Sequence, residues 1–272
     1  MNRRQLALAL SSLPVAGAVI GLGATASASP GGALRTAIDG PQRSAKNRAR
    51  DPWRHPAETL AFWDLAPGMT VVEIDPSGGY WTEILAPYLK MTGGRYVAAE
   101  GGDTASFQAG YADPAVWGAI TVTPFEATSG ALVPGGAADM VITARNIHDW
   151  MWTPGRLEKA LSDFHAALKP GGILAVEEHR ADPRPMVPQG RDGYVSVAVL
   201  EAAVEKAGFR LDGASEINAN PKDTKDHPFG VWTLPPTRRT HDKDQPTPAG
   251  FDPAKYEAIG ESDRMTLRFR KV

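Results

Sequence analysis

The chain of 272 residues contains no cysteine, which excludes disulfides, thiolate metal sites and a cysteine nucleophile. Its fold must stand on its core. It also lacks internal repeats, a coiled-coil pattern and a nucleophile-elbow motif of the G-x-S-x-G kind. An excess of positive charge is missing too: 29 basic residues face 31 acidic ones, so no nucleic acid partner is expected. The only basic cluster runs from Arg43 to Arg54, with Asp51 as its one acid, and reads as a solvated N-terminal arm.

Long apolar runs are absent except at the start. There Arg3-Arg4 precedes a small-residue apolar stretch from about Leu6 to Ala24, and Ala26-Ser27-Ala28 offers a small-x-small cleavage site. Residues 1–28 therefore read as a secretory signal, with an uncleaved membrane anchor as the alternative. Arg3-Arg4 followed by Gln5-Leu6 also resembles a twin-arginine export signal. Cleavage would take the 29 basic residues to 27 against 31 acidic, a formal charge of −4. The expectation is an exported, periplasmic protein with no stable membrane association after processing.

What remains divides into a flexible lead-in over 29–50, rich in Gly, Pro and polar residues, and a single domain over 51–272. Pro56 to Leu65 reads as a short helix stopped by Pro67-Gly68. Strands are expected at Thr70 to Ile74, Arg95 to Glu100, Ala119 to Thr123, Asp139 to Thr143, Gly172 to Glu177, around Arg210 to Ile217, and Met265 to Arg270. Helical spacing lies between several of them, notably over Gly155 to Leu168. Continuous apolar strands alternating with helices indicate an α/β class with a mostly parallel sheet covered on both faces. The proline-rich stretch at about 218–264 is too long for a hairpin and reads as an insertion or lid.

The most informative run is Thr70-Val-Val-Glu-Ile-Asp-Pro-Ser-Gly-Gly79. A strand ending in an acidic residue passes through a small-residue turn into a helix, an arrangement that seats nucleotide-like cofactors at the carboxyl end of a sheet. With the acid-ended second strand, the Asp139 strand and the turn Leu168-Lys-Pro-Gly-Gly172, it resembles class I S-adenosylmethionine-dependent methyltransferases, over about Pro56 to Val272. Asp51-Pro-Trp-Arg-His-Pro, Glu83-Ile-Leu-Ala-Pro-Tyr-Leu89, Arg145-Asn-Ile-His-Asp-Trp150 and Ile259-Gly-Glu-Ser-Asp-Arg264 are similar to a bacterial group of predicted, often exported methyltransferases.

The resemblance implies a Rossmann-like sheet of seven strands with the last antiparallel. It implies S-adenosylmethionine as cofactor and a small-molecule methyl acceptor. Gly78 and Gly79 would face the methionine part of the cofactor, Glu100 would accept from the ribose hydroxyls, and Glu73 would anchor the turn or reach the ammonium group through water. Asp75 and Ser77 stand where the family pattern has glycine. If they close the turn, the alternative is an exported binding protein on a scaffold that no longer uses the cofactor.

For chemistry, His148 is the candidate general base because its ordinary pKa lies near neutrality. Asn146 is a candidate to orient substrate or cofactor, and Asp149 to hold the imidazole. No ligand spacing matches a metal motif, so no metal is expected. Asn218 to His227 form a candidate lid or acceptor pocket, and Glu261 to Arg264 a candidate ion-pair brace.

Overall fold

The computed structural model describes residues 30–102, 104–183 and 185–272; the signal segment lies outside them. Seven strands form one sheet: β1 Thr70–Ile74, β2 Arg95–Glu100, β3 Ile120–Pro124, β4 Ala138–Ala144, β5 Leu168–His179, β6 Phe209–Ser215 and β7 Arg264–Lys271. Their order is β3-β2-β1-β4-β5-β7-β6. β7 runs antiparallel to β5 and β6, and the other pairings are parallel. This is the sheet the sequence led us to expect, with β5 longer than expected because Leu168 pairs with Ala138 across a register shift.

Strand alternation builds two cores. Val72, Ile74, Val97, Ala99, Val141 and Leu174 face the helices Arg156–Ala167 and Val197–Lys206. Val71, Ala98, Met140, Ile142 and Ala175 face the helices Pro56–Phe62 and Thr82–Thr92. Successive side chains point to opposite faces and both faces are covered, which is why these strands read as unbroken apolar runs. Strand order reverses between β1 and β4, and the carboxyl ends of those strands bound the crevice where open α/β sheets take their ligands. Asn146 ties that edge together by donating from Nδ2 to the Ile74 carbonyl at 2.9 Å.

Two expectations fail at the N-terminal side. The lead-in is helical, not flexible: Pro30–Asp39 forms a helix that buries Ala33, Ala37 and Ile38 against Thr82–Thr92. Nor is the basic cluster a solvated arm. Arg43 and Arg54 are 1% and 0% exposed, because Asp51 receives Arg43 and Glu261 receives Arg54 together with Arg50.

The insertion after β6 folds back onto the start of β7. Asn218 donates to Thr59 and Thr266, Asn220 donates to the carbonyls of Ile259 and Glu261, and Asp223 accepts from Tyr194 and from the Asp263 amide. Glu261 and Asp263 make the expected ion-pair brace, with Arg50, Arg54 and Arg264 on the first and Arg180 and Lys225 on the second. Among the described residues no helix is long and apolar enough to cross a membrane.

Candidate functional site

A cavity of about 280 Å³ opens at the carboxyl edge of β1 and β4. Its floor is the turn from Glu73 to Gly78, its far wall Ala144 to His148 with His179, and its roof Trp232, Pro235 and Pro236 from the insertion. A second cleft of about 640 Å³ shares Arg50, Gly78, Pro235 and Pro236 with it, forming a vestibule under the N-terminal helices.

His148 is 3% exposed and reaches the cavity wall. Its Nδ1 lies 3.0 Å from Glu178 Oε1, and Glu178 also accepts from the amides of Ile147, His148 and His179. A carboxylate held by three backbone amides keeps its place and keeps Nδ1 protonated, so Nε2 is left as the acceptor. Burial opposes a charge on this imidazole, but Glu178, followed by Asp149, outweighs it and raises the pKa above its usual value. Asp149, expected to hold the imidazole, sits 3.4 Å from Nε2 with its carboxylate about half exposed, and the buried Glu178, which the sequence did not single out, orients the ring from Nδ1. Asn146, expected to orient ligand, lines the cavity and donates its Nδ2 to the strand edge.

His179 packs 5.2 Å from the His148 ring, centroid to centroid, with its Nδ1 on Ser262 Oγ. Burial, reinforced by the charges of His148, Arg145 and Arg264, holds it well below the usual histidine range, so it is neutral. His148, Glu178 and His179 offer ligand atoms within 4.8 Å of one another. With four donors already on Glu178, the geometry is that of an oriented base rather than a vacant metal cage. Asp223 and His227 are bound to each other at 2.8 Å in the insertion and do not wall the cavity.

Glu73 lines the cavity floor and ties the end of β1 to the helix that follows the turn. Strand alternation turns it under the helix Thr82–Thr92, where Thr82 Oγ1 and Tyr96 Oη lie 3.0 and 2.6 Å from its Oε2. Burial pushes its pKa up to about 7, against those hydrogen bonds. A carboxyl whose folded pKa is raised adds stability below its unfolded pKa, and that stability is lost as pH rises through the folded value. Wild-type stability is therefore expected to fall between about pH 4.5 and pH 7 on this account. Glu73→Gln should be the more stable protein at pH 8 and lose that advantage at pH 4; urea titrations at the two pH values check this.

The turn itself carries the decisive detail. Asp75 and Ser77 hold the left-handed backbone that glycine adopts freely, with φ of 45° and 50°. Asp75 Oδ1 accepts from the Gly101 amide at 2.8 Å, which clasps the end of β1 to the loop after β2. Burial, with the charge of Glu100, raises the Asp75 pKa to about 6. A Cβ added at Gly101 would lie 2.7 Å from the Phe125 carbonyl oxygen and 3.0 Å from Asp75 Oδ1, so little space remains between β2 and β3. Gly79 is covered by the Tyr111 hydroxyl. Glu100 is half-buried, accepts from the Gly102 amide at 3.1 Å and does not wall the cavity.

These positions test the cofactor that the fold implies. Gly78, Arg50 and Arg145 leave room for its methionine end in the cavity. On the adenosine side the Asp75 carboxylate is clasped to Gly101 and the Tyr111 hydroxyl covers Gly79, which narrows the space left for that end.

Arg145 is the residue that sequence reasoning missed. It sits at φ 64°, a conformation costing on the order of 1–3 kcal/mol outside glycine, and its amide is fixed to the Glu177 carbonyl at 2.8 Å. Its side chain contributes to the cavity wall. The roof residues also gave no signal, since Trp232 and a Pro-Pro pair carry no ionisable chemistry.

Searches of protein-family models and of curated proteins found no match. Solved structures do match. A SAM-dependent methyltransferase from Aquifex aeolicus is 17% identical with a TM-score of 0.54, over 90% of this chain and 99% of that one. The [4+2]-cyclase SpnF is 16% identical with a TM-score of 0.56, over 86% and 85%. A methyltransferase from Mesorhizobium loti is 13% identical with a TM-score of 0.50, over 79% and 96%. The fold is the Rossmann-like fold of class I S-adenosylmethionine-dependent methyltransferases.

Proposed function

We propose that this chain is a methyltransferase-like enzyme acting on a small molecule in the sheet-edge cavity, with His148 as the base that takes the acceptor's proton. The observation that carries this reading is the buried Glu178, which fixes the imidazole with Nε2 left as acceptor at the cavity wall. A positioned base contributes most when its pKa lies near the working pH. Neutral His179 and Trp232 pack against the same ring. No step through S-adenosylmethionine follows from the site as it stands. When bound, that cofactor supplies an activated methyl group, and the chain's own part is to align the acceptor and accept its proton.

A second reading has a specific observation behind it. The clasp from Asp75 to Gly101 favours proton chemistry or ligand binding without the cofactor, and one structural neighbour is named as a [4+2]-cyclase rather than a methyltransferase. Both readings share the base. Nitrogen-15 NMR of the histidines tests it: His148 should titrate above its ordinary value with the proton on Nδ1. In Glu178→Gln burial should prevail and lower that pKa by at least about one unit. A His148 protonated on Nε2, or indifferent to the Glu178 substitution, overturns the assignment. Export rests on the signal-like residues 1–28, and kinship with the bacterial group of often exported methyltransferases on the motifs Asp51-Pro-Trp-Arg-His-Pro, Glu83-Ile-Leu-Ala-Pro-Tyr-Leu89, Arg145-Asn-Ile-His-Asp-Trp150 and Ile259-Gly-Glu-Ser-Asp-Arg264; both are part of this proposal.

A further inference from the structure

The cavity and vestibule meet at a cluster of arginines that the proton chemistry does not use. Five guanidinium groups, of Arg43, Arg50, Arg54, Arg145 and Arg264, lie together around Tyr80 and the mouth of the cavity. Three carboxylates meet them: Asp51 on Arg43, Glu177 on Arg264, and Glu261 shared by Arg50, Arg54 and Arg264. The other acids of the cavity are committed elsewhere. Glu178 is matched to His148, Glu73 faces Thr82 and Tyr96, Asp75 faces Gly101, and Asp149 stands at the rim.

The Arg145 side chain makes no hydrogen bond and no ion pair among the described residues; its Nε is inaccessible to water and unpartnered, and the charges of Glu177 and Glu261 act on it only at longer range. Arg50 Nη2 is unpartnered in the same way, and so is Nε1 of Trp81, a side chain 2% exposed. All three residues line the cavity. Buried charge without a partner is costly, and a protein retains it where a ligand completes the site.

We propose that the cavity binds an acidic group, a carboxylate or phosphate, of the molecule acted upon, between Arg145 and Arg50, with the rest of that molecule lying in the vestibule. This rests on the reading of the cavity as the active site. Guanidinium forks suit planar oxyanions, which they grip with paired N–H donors. The methionine end of the cofactor is a poorer match, because it carries an ammonium and a sulfonium beside its carboxylate and is a net cation. The vestibule gives the body of the acid a route to the cavity that avoids the narrowed adenosine side.

Calorimetry and thermal melts of the protein with inorganic phosphate, acetate and methionine test this. Phosphate or acetate should bind and raise the melting temperature of the wild type, as any ligand of the native state does. Arg145→Met should lose at least about tenfold in that affinity, Arg145→Lys should keep part of it, and Arg145→Met without ligand should melt no lower than wild type. Equal binding by wild type and Arg145→Met overturns the proposal. So does absence of binding up to about 20 mM phosphate and acetate. Binding of methionine alone also overturns it, by assigning the arginines to the cofactor's own carboxylate. The His148 titration keeps the two readings apart: a raised pKa with no anion binding removes only the acid-binding proposal, and anion binding with an ordinary His148 removes only the base.

Discussion

Replacing Glu261 by glutamine is expected to cost about 3–5 kcal/mol of folding stability, the range for removing one partner from a buried ion cluster. Glu261 is 3% exposed and holds Arg50 at 2.6 Å and both Arg54 and Arg264 at 3.0 Å. Glutamine preserves the shape but leaves these guanidinium groups, and Arg145 behind them, with Glu177 as the main compensating charge. Domains of this size are stable by about 5–15 kcal/mol in total, so the loss is a large fraction of the whole. It corresponds to a fall in melting temperature of roughly 6–20 °C. Glu257 provides the contrast: its pair with Arg238 is about half exposed on both sides, and Glu257→Gln should cost no more than about 1 kcal/mol. Urea unfolding of both variants checks the difference. A Glu261→Gln protein as stable as Glu257→Gln would show that the cluster is not held by this charge.

The same cluster shows where reading the sequence stopped. Strands such as Thr70–Ile74 and Ala138–Ala144 were legible because burial on both faces leaves unbroken apolar runs. The sense of β6 and β7 followed from the family resemblance. The burial of Arg50 and Arg54 was not legible because their acid, Glu261, lies more than two hundred residues away, and local composition carries no trace of such a pairing. Glu178 was within reach. Strand alternation puts Glu177 and Glu178 on opposite faces of β5, and β5 neighbours the strand that ends before His148. That reasoning selects Glu178 over Asp149 as the partner of the imidazole. Arg145 lay beyond it, since its direction depends on a left-handed backbone that no pattern announces in a non-glycine residue.

The turn between β1 and the following helix decides how this fold is used. Asp75 replaces a glycine of the family pattern, keeps the left-handed backbone, and spends its carboxylate on Gly101. Substituting glycine removes the carboxylate from the adenosine side, frees the Gly101 amide, and relieves a conformation that costs a non-glycine residue about 1 kcal/mol or more. The loss of one hydrogen bond is of similar size, so Asp75→Gly should fold with nearly unchanged stability. Its effect should appear in binding. Calorimetric titration with S-adenosylhomocysteine, which lacks the charge of the sulfonium, reads the space alone. The wild type should bind it weakly and Asp75→Gly at least tenfold more tightly, about 1.4 kcal/mol or more. Wild-type binding as tight as that of the glycine variant would contradict it, and would show that Asp75 leaves the cofactor's place open.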